Sequence, residues 1–374
     1  MKVALISLHF AEYASRLALA LDASHEVLLI LETANAELEL SRSLRDALVR
    51  RGNVLWYGRQ RRRSAPFHAI RLMREMRRFR PDVIHVQQTG SRAETWANDL
   101  LGYSIPLVLT VHDPVQHSGA DRRTGERHAP YLQRLRARAD RLIVHGDRVR
   151  KEWLRSEPKL SLRLASVPHG VLGDDQGRVE TLPETPPVFL FFGRIEAYKG
   201  LGFVLEAGES LALRGFTFRL VIAGTGSELD RYRPQIREMP WVELMDRHIH
   251  ADEIPQIFRR ASAVVLPYTD ATQSGVAAMA FGFGRPVIAS RVGGLPEVVA
   301  NERNGFLVPP KDVGALAEAM ARIIVSKKLC EQLRSGAMER AGSELSWDVI
   351  ARETSGVYGD ALRARGLMNP LTFA

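Results

Sequence analysis

The sequence reads as an α/β protein with two doubly wound, mostly parallel sheets, and three observations carry that reading. Short β-rich runs alternate with helical patterns from end to end, the signature of strand–helix–strand units wound right-handedly. The runs are apolar almost throughout, as strands covered on both faces must be. The series breaks once, at a polar, proline-bearing stretch over 173–187, which reads as an interdomain linker. At about 150 residues per domain, the 374 residues predict two domains.

In the first half, strands are expected at 2–7 (KVALIS), 26–31 (EVLLIL), 53–57 (NVLWY), 82–87 (DVIHVQ), 107–111 (LVLTV), 141–145 (RLIVH) and 164–167 (LASV). In the second they are expected at 188–192 (VFLFF), 218–223 (FRLVIA), 241–245 (WVELM), 263–267 (AVVLP), 286–289 (PVIA) and 306–308 (FLV). Helical segments fill most gaps, for example the apolar-periodic stretch after Asp312. Near the end Ser346 is placed to cap a helix whose Trp347, Ile350, Val357, Tyr358 and Leu362 form one apolar stripe. The expected domains are 1–175 and 186–345, followed by a helix and tail over 346–374 that packs back towards the first. Ligands of such sheets bind beyond the carboxyl ends of the strands, so two such margins facing across a cleft would make the site.

Composition narrows the function. With 45% apolar and 25% charged residues the chain is an ordinary globular protein, not a disordered tail, fibre or coiled coil. The single cysteine, Cys330, excludes an internal disulfide and a multi-cysteine zinc site and fits a reducing compartment. The opening MKVALISLHF is too short an apolar run for a signal peptide. No run approaches the roughly 18 apolar residues of a spanning helix. The expected location is cytoplasmic, with peripheral attachment to the inner membrane face.

That attachment rests on charge. The net charge of +9 is local: residues 59–80 hold nine arginines against one acid, Glu75. After Ser64 as a cap and Pro66 in a first turn, Phe67, Ile70, Met73 and Met76 fall at spacings of three, with Arg71, Arg74, Arg77 and Arg78 on the other side. An amphipathic basic helix can lie on an anionic membrane; it can equally be a surface helix with solvated arginines. Nucleic acid ranks last, because no aromatic platform or finger motif accompanies the arginines.

Three stretches carry chemistry. In FFGRIEAYKG, 191–200, a buried strand ends at Gly193, and Arg194 and Lys199 follow in one loop where two cations can grip a diphosphate. In LPYTDATQSGVAAMAFGFGRPVIAS, 266–290, Thr272 or Ser274 caps a helix starting near Gly275. Its body is apolar all round and hence buried, and its free N–H groups suit an anion. In VGGLPEVV, 292–299, paired glycines allow a turn close to a ligand. Each also has an ordinary structural reading as a turn or a capped core helix.

In their order, GRIEAYKG, AGTG (223–226), LPYTDATQSG, RPVIASRVGGLPEVV and NGFLVPP (304–310) make the second domain resemble the donor-binding half of retaining glycosyltransferases of family four. These have two facing Rossmann-like domains, the GT-B type. RPDVIHVQ, VLTVHDP and ASVPHG extend the resemblance weakly into the first domain. The resemblance implies that Arg194 and Lys199 hold the donor diphosphate and that Gly193 and the loop from Asp270 through Thr272, Gln273 and Ser274 to Gly275 contact donor sugar and phosphate. It further implies that His112, followed by Asp113, lies near the reacting sugar. Two departures stand out. Where relatives carry two glutamates with seven residues between them, this chain has Thr269, with Asp270 one place on, and Ala277. The glycines of the first loop are replaced by Leu8-His9-Phe10-Ala11.

The implied function is retaining transfer of a sugar from a nucleotide sugar to a glycan or lipid-linked acceptor. No Asp-x-Asp occurs, so no metal and no cofactor are expected. Ala277 keeps open a non-catalytic partner subunit that retains the fold. A nicotinamide-dependent oxidoreductase is disfavoured, because the third position of the Gly224-Thr225-Gly226 fingerprint is Leu229.

Overall fold

The computed structural model describes residues 1–58, 65–88, 95–97, 104–114, 120–173 and 185–367. These form two compact units: the chain up to Gly170 with Trp347 onward, and Val171–Ser346. The linker core and the arginines at 59 and 61–63, with Ser64, lie outside the described residues.

The first unit is built on seven strands: β1 (Lys2–Ser7), β2 (Glu26–Glu32), β3 (Val54–Tyr57), β4 (Val83–Gln87), β5 (Leu107–Thr110), β6 (Arg141–Val144) and β7 (Leu164–Ser166). Their order is β3-β2-β1-β4-β5-β6-β7, and every pairing is parallel, with Leu5 opposite Leu29 and His85. The second unit holds β8 (Val188–Phe192), β9 (Arg219–Ala223), β10 (Val242–Met245), β11 (Ala263–Leu266), β12 (Val287–Ser290) and β13 (Gly305–Val308). Their order is β10-β9-β8-β11-β12-β13, again all parallel. The winding reverses between β1 and β4 in one sheet and between β8 and β11 in the other, the switch points at which such sheets take ligands.

Side-chain alternation explains why both faces are apolar. Val3 and Leu5 join one core with Leu29 and Leu31, while Ala4 and Ile6 join the opposite core with Leu28 and Ile30. All thirteen expected strands form, with bounds shifted by at most a residue at either end. The run expected over 286–289 moves to Val287–Ser290, because Pro286 has no N–H to give a ladder.

The last helix, Trp347–Ala364, belongs to the first unit. Its Ile350, Val357, Tyr358 and Ala361 are buried among Leu5, Leu17 and Val83. Arg365 just beyond it pairs with Asp140 at 2.7 Å. Deep in this core the His85 ring is hydrogen-bonded at both nitrogens, Nδ1 to the Tyr358 hydroxyl (2.7 Å) and Nε2 to the Thr110 hydroxyl (2.7 Å).

The basic helix, Ala65–Phe79, needs correction in its facing. Its buried residues are Ala65, Ala69, Leu72 and Met76, whereas Phe67 is 76% and Ile70 40% exposed. A spacing of three falls short of the 3.6-residue turn, so the expected stripe drifts round the helix and only Met76 reaches the core. Arg71 packs over the Tyr57 ring at 4.6 Å.

His85 makes folding sensitive to acid. Burial holds its pKa down at about 3, so between pH 6.5 and that value the unfolded chain binds a proton the folded chain refuses. Stability therefore falls with falling pH through this window, by about 1.4 kcal/mol per pH unit from this residue. In urea unfolding followed by tryptophan fluorescence, His85→Gln should flatten the acid slope by about that amount; a parallel slope would contradict the assignment.

Candidate active site

In the second unit the carboxyl ends of β8, β9, β11 and β12 converge. β8 ends at Phe192, and Gly193 turns with φ of 100°, a conformation that favours glycine. Gly224, after β9, comes so near that a Cβ on it would stand 2.0 Å from the Gly193 carbonyl oxygen. Main-chain bonds fix the pair: Gly193 N–H donates to Ala223 C=O (2.9 Å) and Ile195 N–H to Thr225 C=O (3.0 Å).

Arg194 is exposed and Lys199 buried, at 8%. The Lys199 ammonium lies 3.1 Å from where a Gly193 Cβ would be and 5.7 Å from the Tyr268 ring centroid. The side chain of Val276, in the first turn of the helix Gly275–Gly282, meets the same point at 3.7 Å. A glycine turn, a buried cation and a helix start therefore come together, with Arg194 outside them.

The loop before that helix is tied down on both sides. Thr269 N–H donates to the Tyr198 carbonyl at 2.7 Å, joining this loop to the Arg194–Lys199 loop, and Gly294 N–H donates to the Thr272 carbonyl at 2.9 Å. Ser274 caps the helix, its Oγ accepting from Ala277 N–H at 3.2 Å. Tyr268, hydrogen-bonded to Ser274, has its pKa pushed up by burial. Thr272 and Gln273 are half-buried, Gly275 likewise, and Asp270 is exposed. Ala277 is 1% exposed, inside the packing beneath the helix start.

In the first unit His112 follows β5, 8% exposed and stacked on Phe10 at 3.7 Å between centroids. Its Nε2–H donates to Gln87 Oε1 (2.8 Å), and its Nδ1 lies 3.3 Å from His145 Nε2. His145 donates from Nδ1 to the Val167 carbonyl (3.1 Å) and His169 from Nδ1 to the Gly170 carbonyl (2.7 Å). The Tyr13 ring packs against all three imidazoles, with centroids 5.0–5.3 Å away. Burial pushes His112 well below its ordinary value, His145 to about 3 and His169 to about 4. All three are neutral at neutral pH. Asp113 is exposed beside them, and its charge pulls His145 and His169 slightly back up.

His112 was named from sequence; Gln87, His145, His169 and the stacking role of Phe10 were not. The signal was present: each lies at or just past the carboxyl end of a parallel strand, where such sheets display their chemistry.

Comparison with known proteins agrees with the fold. Residues 11–171 match the family model described as Glycosyltransferase Family 4, and residues 186–326 match Glycosyl transferases group 1. The uncharacterised glycosyltransferase MJ1607 of Methanocaldococcus jannaschii is 30% identical over 186 residues, 48% of this chain; the match spans only 46% of that relative. Sucrose-phosphate synthase from Thermosynechococcus elongatus superposes with a TM-score of 0.73 at 20% identity, covering 97% of this chain and all of that one. Anabaena Alr3699/HepE, in complex with UDP-glucose, superposes with a TM-score of 0.68 at 17% identity, covering 95% of this chain and 98% of that one. With one glycosyltransferase model over each unit and both sheets in the matching architecture, the chain belongs to the family-four-like glycosyltransferases and has the GT-B fold.

Proposed function

We propose that the protein transfers a sugar from a nucleotide-sugar donor to a glycan or lipid-linked acceptor, with retention at the anomeric carbon. The observation that carries this is the buried Lys199 ammonium at the Gly193 turn beside the first turn of a capped helix. Fixed cations and N–H dipoles stabilise charge that develops as a bond breaks. Here the breaking bond joins the anomeric carbon to the diphosphate, and its electron pair leaves with the phosphate oxygen. Arg194 and Lys199 meet that charge, and Ser274 and Gly275 present the helix N-terminus. An acceptor hydroxyl attacking from the departing face forms the new bond, and its proton passes to the leaving oxygen beside it. His112 and Asp113 serve the reacting sugar, His112 as a neutral, hydrogen-bonded imidazole. The UDP-glucose bound by Anabaena Alr3699/HepE supports a nucleotide sugar as the donor class.

With Lys199 at the turn and the exposed Arg194 as a second cation, this reading assigns the diphosphate charge to protein groups without magnesium or manganese. A second reading rests on Ala277, which is packed inside and offers no carboxylate to a ribose: a non-catalytic partner subunit with the same fold. Turnover by the wild-type chain contradicts it.

We also assign the basic helix to an anionic membrane surface. No helix among the described residues is long and apolar enough to cross a membrane. Yet Phe67 and Ile70 stand exposed among Arg71, Arg74, Arg77 and Arg78, apolar insertion beside cationic contact. Each arginine near the headgroups is worth about 1 kcal/mol.

Arg194→Ala and Lys199→Ala should each lower kcat by about 100-fold, and adding magnesium or manganese should not stimulate the wild type. Full activity in both variants would overturn the assignment. In flotation with phosphatidylglycerol vesicles, Phe67→Ser with Ile70→Ser should weaken binding by about tenfold or more; unchanged flotation would remove the membrane from the account.

A further inference from the structure

We propose that His112, His145 and His169 form a site for one late first-row divalent ion of the zinc class, within the first unit and separate from the residues assigned to the donor. One ring nitrogen from each of the three lies within 4.8 Å of the other two. The sugar-transfer reading uses His112 alone of the three and assigns no role to His145 or His169; the trio stands on its own geometry.

Hydrogen bonds on the outer sides of the rings decide what the inner nitrogens are. The carbonyls of Val167 and Gly170 can only accept, so His145 and His169 carry their protons on Nδ1. Gln87 turns its amide oxygen to His112 Nε2 (2.8 Å) and its amide nitrogen to His85 Nε2 (3.3 Å). With the amide in this orientation its nitrogen donates to His85 and its oxygen accepts from His112. Each outer nitrogen is thus a donor and each inner nitrogen bears a lone pair. His112 Nδ1 and His145 Nε2 then meet lone pair to lone pair at 3.3 Å, an arrangement that a cation between them stabilises.

The distances suit a metal. A tetrahedral ion with nitrogens at about 2.0–2.1 Å holds its ligand atoms about 3.3 Å apart, the separation His112 and His145 already have. His169 is half-buried after β7, and with all three nitrogens within 4.8 Å of one another it has at most about 1.5 Å to close to reach that separation. Outward donation by every ligating imidazole is the arrangement that fixes tautomer and ring orientation around a bound ion. Three imidazoles select zinc, copper or nickel over magnesium or manganese, which prefer oxygen. The missing Asp-x-Asp concerns oxygen-ligated ions at a diphosphate, so magnesium-independent transfer and a nitrogen-ligated ion are compatible. Phe10 stacks on His112 and Tyr13 packs on all three rings, which holds the imidazoles in place.

The test uses the full chain, stripped with chelator, exposed to zinc sulfate, desalted and assayed by elemental analysis, with affinity taken from competition against a chromophoric chelator. Stoichiometric zinc is expected, lost in His169→Ala and weakened by about 10–100-fold in Gln87→Leu, the outer partner of His112. His25→Ala, outside the cluster, should bind as the wild type does. Cobalt substitution should give the visible absorption of a four-coordinate site, a readout independent of the variants. Substoichiometric zinc in the wild type, equal zinc in His169→Ala, or no cobalt bands would overturn the proposal and leave a metal-free network in which a turned Gln87 amide lets His112 donate to His145.

Discussion

A parallel sheet covered on both faces has almost no place for a polar side chain except past the carboxyl ends of its strands. Both units obey that constraint. Residues 3–7 of β1 are all buried, as are all four of β11 and of β12, and burying each large apolar side chain is worth about 1.5–3 kcal/mol. Chemistry therefore gathers where the strands stop: His112 past β5, His145 past β6, His169 past β7, Gly193 past β8 and the Thr269–Ser274 loop past β11.

The second unit shows what makes such a margin precise. Glycines bring backbones closer than any Cβ permits, Gly224 against Gly193 and Gly200 against the Pro267 carbonyl. Because those contacts are main chain on main chain, the loops bearing Arg194, Lys199 and Ser274 are fixed by the fold and not by side-chain packing. Fixed dipoles and cations stabilise developing charge without reorganising. Ala277, under the Ser274 cap, is packed into the core of this unit.

Much of this was legible in the sequence, for physical reasons. Doubly covered strands are continuous apolar runs, and all thirteen could be read. The residues that the proposed donor site uses lie within two short stretches, so local pattern is enough to single out Gly193, Arg194, Lys199 and Ser274. The basic helix misled because spacing by three resembles a helical stripe over two turns and departs from it over four; Phe67 and Ile70 end exposed. The histidine cluster went unassembled for another reason: strand ends mark each residue singly and do not show which ones meet. His112 and His145 are 33 residues apart, and His85 and Tyr358 are 273 apart; only the strand order β4-β5-β6-β7 and the returning last helix bring such groups together.

The central claim is that the Gly193–Lys199 turn and the Ser274–Gly275 helix start hold the diphosphate of a nucleotide sugar. Isothermal titration of the full chain with UDP-, GDP- and ADP-sugars tests it most directly. The account predicts saturable binding of one nucleotide class by the wild type, with that binding lost in Lys199→Ala. Binding of none of the three, or equal binding by the variant, would contradict it.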